Sequence, residues 1–397
     1  MRLYNTQSRI IITCSKRLSS YLEQEVRALG FEPTRVFVTG VEMRGTLQDC
    51  IKLNLNLRCA SQVLFGLADF FCDSPDDLYK RVNSFPWENI LPMDSYFSVT
   101  SNVDHPSMNT PLFANVKIKD GIVDRFRTRY GKRPNSGNDN SQAVISLFWK
   151  ETQATLFIDT SGETLTKHGY RKIPGKAPMV ESLAAATLLA TKWDRKNPFI
   201  NPMCGSGTLA IEAALLATNR KPGLLRKNYS FMYFKGFEDE MYEQELAKIQ
   251  DEITEVPDLK IIATDISEDA VNIAQINAKI AGVADYITFA ECDFADTEIP
   301  EQNLPTGQAG GGILFLNPEY GERLGEETEL EKTYERIGDF MKQKVGGYTG
   351  YIFTGNMELA KKIGLKTTRR IEFYNSKIDC RLLEFELYEG SKRQPKI

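Results

Sequence analysis

Histidine is nearly absent from this chain. Its 397 residues include only His105 and His168. A Ser-His-Asp hydrolase or a His-ligated metal enzyme would have to be built on one of these two, which argues against both. Cysteine is present without a pattern. The seven residues, at 14, 50, 59, 72, 204, 292 and 380, are odd in number and never closer than nine apart. That spacing speaks against a zinc cluster or a disulfide framework and for a reducing, cytoplasmic setting, with no metal expected. No apolar run approaches the roughly 18 residues of a membrane span. The first twenty residues lack the long apolar core and small-residue cleavage site of a signal peptide. A net charge of −4 and 42% hydrophobic residues suit two or three globular domains. There is no internal repeat.

The near-neutral total conceals a local excess of positive charge. Between 116 and 135 lie Lys117, Lys119, Arg125, Arg127, Arg129, Lys132 and Arg133, against only Asp120 and Asp124. A second stretch, 165–176, carries Lys167, Arg171, Lys172 and Lys176 with no acid. Phe126, Tyr130 and Tyr170 are interleaved with these cations, and such a mixture can grip phosphates and stack on bases. The alternative is a solvated helix face. Lys117, Arg125, Arg129, Lys132, Arg133, Lys167 and Arg171 are the candidate nucleic-acid contacts.

The hydrophobic pattern predicts small α+β units first. Strands are expected at 9–14, 35–39, 41–44 and 62–71, with helices at 18–30 and 46–57. A second α+β block follows, flanked by 76–83 and 138–142. It has strands at 96–100, 143–149 and 154–159 and a helix at 109–130. From about 177 the texture becomes alternating helix and strand. Helices fall at 182–191, 208–217 and 268–281, and strands at 198–201, 260–264, 286–290 and 313–316. That is the pattern of a doubly wound parallel sheet. An acidic, aromatic insertion interrupts it at 224–256, and the Gly-rich patch at 307–312 reads as a surface loop.

The chemistry gathers at the ends of the later strands, where ligands bind in open α/β sheets. Strand 198–201 runs into Gly205-Ser206-Gly207 and a helix, so tight backbone turns lead to free helix N–H groups. Ala210 stands where a dinucleotide fingerprint needs its third glycine, which disfavours a nicotinamide site. Strand 260–264 ends in Asp265, suited either to two ribose hydroxyls or to capping the next helix. Asp293 follows the third strand and could accept from an adenine amino group or sit in a solvated loop. The apolar strand 313–316 ends in Asn317-Pro318-Glu319-Tyr320. Four such elements in order, each at a strand's C-terminal end, point to one site.

The order and content resemble the class I S-adenosylmethionine-dependent methyltransferases of the Asn/Asp-Pro-Pro-Tyr/Phe branch, which methylate exocyclic amines of bases. Segments 12–31, 123–135, 156–188 and 201–217 resemble the bacterial THUMP-domain RNA methyltransferases. More narrowly, they resemble the large-subunit (23S) ribosomal RNA guanine-N2 enzymes. The resemblance implies a ferredoxin-like domain at 1–70, a THUMP RNA-binding domain at 71–165 and a Rossmann-like methyltransferase domain at 166–390. Its implied cofactor is S-adenosylmethionine, held by Asn201, Pro202, Cys204, Gly205, Gly207, Thr208, Asp265, Ile266, Asp293 and Phe294. Asn317, Pro318 and Tyr320 would hold the target base. The partner would be 23S ribosomal RNA or an assembly intermediate of it, with transfer RNA as the alternative. A non-catalytic RNA-binding or ribosome-assembly protein and a DNA adenine-N6 methyltransferase are the other readings. Relatives can carry a second methyltransferase domain, and the chain is expected to be the single-domain form. Asn201 replaces the family's usual Asp, and Glu319 its second Pro. The first keeps an acceptor but loses a charge near the cofactor, and the second loosens the loop.

Overall fold

The computed structural model describes residues 3–106, 110–173, 178–301, 311–321 and 327–388. Lys176 and residues 307–310 of the Gly-rich patch lie outside them. The chain divides into two compact units, each assembled from separated stretches. One comprises 3–15, 22–165 and 222–251, and the other 16–21, 166–221 and 252 onward.

In the first unit, eight strands form one sheet in the order β2-β3-β1-β4-β8-β7-β5-β6. They are β1 (Ser8–Thr13), β2 (Pro33–Phe37), β3 (Gly40–Gly45), β4 (Gln62–Phe71), β5 (Tyr96–Asp104), β6 (Asn135–Gly137), β7 (Ala143–Lys150) and β8 (Gln153–Asp159). Sequence reading gave two separate α+β blocks; β4 fuses them. Its first half pairs with β1, and Leu64 to Phe71 pair with β8. A ten-residue strand is long enough to serve both neighbours, and a bulge between Gly66 and Ala68 absorbs the change of partner.

The helices start and stop for local reasons. They are α1 (Ser19–Ala28), α2 (Leu47–Asn56), α3 (Pro75–Ser84) and α4 (Pro111–Tyr130). Thr46 and Asp49 form a reciprocal capping box on α2. The flanking stretch 76–83 is helical because Ser74 caps it and Pro75 opens it. Gly131, at φ 68°, closes α4 in the left-handed region. A Cβ on Gly121 of α4 would lie 2.9 Å from the Val82 side chain, so glycine allows α3 and α4 to approach.

The second unit follows, with α5 (Glu181–Ala190), β9 (Phe199–Pro202) and α6 (Thr208–Ala217). Residues 222–251, carrying α7 (Asp239–Asp251), then belong to the first unit. The second unit resumes with β10 (Ile261–Asp265), α8 (Glu268–Ala281), β11 (Ile287–Glu291), β12 (Ile313–Leu316), α9 (Glu327–Lys344), β13 (Thr349–Thr354), α10 (Met357–Lys362), β14 (Arg369–Asn375) and β15 (Ile378–Glu386). Its seven strands run β11-β10-β9-β12-β13-β15-β14. The first five are parallel, β15 runs antiparallel to them beside β13, and β14 pairs antiparallel with β15 at the edge. This is the expected doubly wound architecture with a hairpin at one edge. Ile200, Leu314, Leu316, Phe340, Ile352 and Phe385 pack in its core. No helix among the described residues is long and apolar enough to cross a membrane.

The segment 222–251 is built into the first unit by buried polar bonds. Ser230 Oγ accepts the Val144 N–H at 2.9 Å, and the Phe231 N–H donates to the Thr160 carbonyl at 3.0 Å. Arg226 donates to the carbonyls of Ser161 at 2.7 Å and Thr164 at 3.3 Å. A Cβ on Gly223 would stand 2.6 Å from the Leu55 backbone, so only glycine lets this stretch lie against α2. Close by, Asp159 accepts from the Ser161 and Gly162 N–H groups and from Gln62. Burial pushes the Asp159 carboxyl up to about 7 despite those bonds and the charge of Arg226.

Folded Asp159 therefore keeps a proton that the unfolded chain gives up near pH ~4. Stability from this group is complete below the unfolded value and is lost as pH rises toward the folded one, by at most about 1.4 kcal/mol per pH unit. Asp159→Asn should flatten that part of the stability profile. Urea melts between about pH 4 and pH 7 check this, and a wild-type-minus-variant difference independent of pH would contradict the assignment.

Candidate functional site

Three sequence motifs meet where β9, β10 and β12 end. Beyond β9 the backbone takes positive φ at Met203 (57°), Gly205 (55°) and Gly207 (80°). A Cβ on Gly207 would lie 2.8 Å from the Cβ of Ala274 in α8, so the absent side chain lets the loop rest on that helix. A Cβ on Gly205 would meet nothing within 4 Å, which leaves that backbone open to a ligand. No side chain caps α6 at Gly207, so its first N–H groups have no side-chain acceptor at that cap and suit an anion or other ligand acceptor.

Asp265 holds the loop. Its Oδ2 accepts the Gly205 N–H at 2.9 Å, and its Oδ1 accepts the Ser267 N–H at 3.1 Å. Ser267 caps α8, accepting from the Ala270 N–H. Capping is thus the serine's task, and the aspartate keeps a second lone pair on each oxygen for hydroxyl donors. Asn277, which sequence reasoning missed, donates to the Ser206 carbonyl at 3.2 Å. A buried Asn in the middle of a helix carries no motif of its own, and only its contact marks it. Cys204 bonds backbone to backbone with Thr264 at 2.9 Å, and burial raises its thiol pKa, which removes thiolate chemistry. Pro202 is buried at the end of β9, and Ile266 is 72% exposed beside Asp265.

Asn201 is 1% exposed and donates through Nδ2 to the Phe315 carbonyl at 2.9 Å. Its Oδ1 is buried with no partner among the described residues. On β11's side, Asp293 Oδ1 accepts from the Ala295 N–H at 2.9 Å and from Arg336 of α9 at 2.8 Å. Burial would raise the Asp293 carboxyl, but the Arg336 and Ala295 bonds and the Arg336 charge outweigh it and lower it. The Arg336 guanidinium also sits 4.8 Å from the centroid of the Phe294 ring, which packs edge-on to Phe340 in the core. Arg336 too went unseen in the sequence, because α9 follows the motifs without extending any of them.

The tetrapeptide is asymmetric. Pro318 is buried, Asn317 and Tyr320 are half-buried, and Glu319 is exposed. Asn317 Oδ1 is a buried acceptor with no partner among the described residues. The Tyr320 hydroxyl accepts from Asn375 Nδ2 at 2.9 Å, and a Cβ on Gly355 would lie 3.0 Å from its ring. Burial pushes this phenol up to about 12, so it stays neutral. The ring is a fixed wall, and the amide oxygen is an open acceptor.

The basic residues divide into two classes, and two expectations need correcting. Arg125 is not a surface contact: its guanidinium is buried, bidentate to Glu88 at 2.7 Å, and donates to the Asn83 and Ser84 carbonyls. Arg171 is likewise internal, donating through Nη2 to the Met179 carbonyl at 2.5 Å and to Thr208 Oγ1 at 2.7 Å. A desolvated guanidinium needs such bonds, so it cannot also serve a solvent-side phosphate. Phe126 and Tyr170 are core residues rather than stacking surfaces. Arg129 pairs with Glu88 from an exposed position, and Lys117 pairs with Asp76. Lys132, Arg133 and Lys167 are exposed. His168 is fully buried, 2.7 Å from Glu212, so it is a structural pair rather than a surface base.

The residues at the strand ends suit the implied cofactor, with an unpartnered amide oxygen at Asn201, an open Gly205 backbone and a braced carboxylate at Asp265. Residues 9–64 match the RlmL ferredoxin-like domain, 72–159 the THUMP domain and 168–384 the RMKL-like methyltransferase domain. A ribosomal RNA large subunit methyltransferase K/L of Syntrophotalea carbinolica is 34% identical over 95% of this chain and 53% of that protein. The chain spans about half the length of the K/L relatives it matches. A putative RNA methyltransferase of Synechocystis is 30% identical over 95% of this chain and 96% of that protein. A solved putative methyltransferase complexed with SAH superimposes with a TM-score of 0.84 at 26% identity, over 97% of this chain and 99% of that one. A predicted N6-adenine-specific DNA methylase from Listeria monocytogenes gives 0.85 at 29% identity, over 96% and 97%. With one family domain spanning 168–384, and with ferredoxin-like and THUMP domains before it, this chain belongs to the RMKL-like methyltransferases.

Proposed function

We propose that this chain methylates the exocyclic N2 amine of a guanine in large-subunit ribosomal RNA. The observation that carries the reading is the buried, unpartnered Oδ1 of Asn317 at the end of β12. A free buried acceptor is costly unless a ligand donor fills it, and an exocyclic amine has two N–H groups to give. In this reading Asn317 Oδ1 takes one and the Pro318 carbonyl the other, which turns the nitrogen lone pair toward the methyl donor. The Tyr320 ring, anchored by Asn375, is the wall for a base taken out of its stack. S-adenosylmethionine is the cofactor and supplies a methyl already activated on sulfonium, so positioning does most of the work. Asn201 Oδ1 and the α6 N-terminus would hold its amino-acid end, and Asp265 its ribose. Glu319 is exposed and is not assigned to the base.

An adenine-N6 amine offers the same two donors, and the Listeria protein's description names that target. The THUMP match favours RNA over DNA, and the exposed cations Arg129, Lys132 and Arg133 within it can contact phosphates. The deciding experiment is labelled methyl transfer to ribosomal RNA, transfer RNA and duplex DNA, all unmodified, with the product nucleoside read by mass spectrometry. N2-methylguanosine in large-subunit RNA is expected, and label on adenine or on DNA alone would overturn the reading.

Asn317→Ala should lower kcat on the order of 100-fold, because the acceptor acts in the transfer step. Its affinity for S-adenosylhomocysteine, by calorimetry, should stay within about threefold. Undiminished turnover would remove Asn317 from the mechanism. On the RNA side, Lys132→Ala/Arg133→Ala should weaken binding across all RNA sequences and reduce the salt slope by about 2, one per lost phosphate contact. Filter binding across a salt series checks this, and an unchanged slope would place the contact elsewhere.

A further inference from the structure

The Asn201 side chain cannot be turned over. Its Nδ2 donates to a carbonyl, so exchanging nitrogen and oxygen would set oxygen against oxygen. Its Oδ1 is thereby fixed as an acceptor with no partner among the described residues. The bond to Phe315 also falls where the backbone ladder runs out. Strands β9 and β12 pair at Phe199 with Ile313 and at Ile200 with Leu314. Beyond Asn201 comes Pro202, which has no N–H to give. A side-chain amide therefore makes the last link between the strand entering the glycine loop and the strand ending, two residues past Phe315, in Asn317.

We propose that Asn201 is a positioning residue whose side-chain bond to the Phe315 carbonyl sets the spacing between the methyl-donor loop and the base-holding tetrapeptide. This coupling rests on the methyl-transfer reading above. Transfer needs the reacting atoms roughly 3–3.5 Å apart, and the two groups are held on different strands. A slip between β9 and β12 would therefore lower the rate even with both ligands bound.

The substitution Asn201→Asp separates this role from that of a simple acceptor. The ionised carboxylate it introduces would offer the cofactor's ammonium a better partner but could not donate to Phe315. If only the acceptor matters, Asn201→Asp binds cofactor at least as well and transfers as fast. If the link matters, it transfers more slowly, and acid restores the link, because a protonated carboxyl can donate again.

The first measurement needs no turnover. Ligand-free wild type, Asn201→Asp and Asn201→Ala are melted in urea at about pH 5 and about pH 8. A buried carboxyl facing a carbonyl has its pKa raised by folding, so its stability is complete at low pH and lost as pH rises. The Asn201→Asp deficit should therefore widen toward pH ~8, while that of Asn201→Ala stays constant. In single-turnover transfer at pH ~8, Asn201→Asp should be about tenfold slower or more, with S-adenosylhomocysteine affinity within about threefold and partial recovery toward pH ~5. A pH-independent deficit, or a rate equal to wild type from either variant, overturns the coupling. If wild type methylates no nucleic acid, the methyl-transfer reading fails on its own, and the melts still decide whether the link exists.

Discussion

One oxygen of Asp265 accepts the Gly205 N–H and the other the Ser267 N–H. Through that carboxylate the glycine loop after β9 and the start of α8 become a single rigid corner. The remaining features of the site hang from this corner. Gly207 lies against Ala274 because the loop is drawn down onto α8. Asn277 of the same helix holds the Ser206 carbonyl. The N-terminus of α6 is left without a side-chain cap. Losing the carboxylate would leave two backbone donors seeking water and a loop with three positive φ angles held to α8 at Ser206 alone among its hydrogen bonds to that helix.

How much of this could be read from the sequence depends on how local the cause is. The strand 313–316 and the helices 208–217 and 268–281 match the structure residue for residue, since each is an apolar run with turn chemistry at its ends. The order of Gly205, Asp265 and Asn317 at successive strand ends was likewise visible, because topology places such ends on one edge of a parallel sheet. Pairings between distant stretches were not. Nothing in 62–71 says that it will pair with 153–159, and nothing around Asn375 says that it will hold the Tyr320 hydroxyl. The supporting shell of the site, with Asn277, Arg336 and Asn375, consists of single polar residues whose meaning appears only through a contact.

Charge was the most misleading signal. A count of cations along 116–135 treats Arg125 and Lys132 alike, yet one is buried on Glu88 and the other is exposed. Helical periodicity separates them in hindsight: Ile118, Ile122, Arg125 and Phe126 are all buried on α4, and an arginine on that stripe needs an internal carboxylate. Arg171 was drawn inward by a different cause, since it bridges the Met179 carbonyl and Thr208 at the head of α6. The RNA-facing assignment accordingly rests on fewer side chains than the composition suggests, with Arg129, Lys132, Arg133 and Lys167 the exposed ones.

The placement of 222–251 in the first unit has a consequence for how the protein is made. During synthesis the first unit's strands are complete once residue 159 has emerged, but the piece carrying Arg226, Ser230 and α7 is translated only after α5, β9 and α6. At roughly 5–20 residues per second, the 86 residues from 165 to 251 take about 4 to 17 s. Until Gly223 and Ser230 emerge within that interval, the α2 surface and the Val144 N–H have no permanent neighbour, so the nascent first half waits, unfinished, for a strap that arrives with the second.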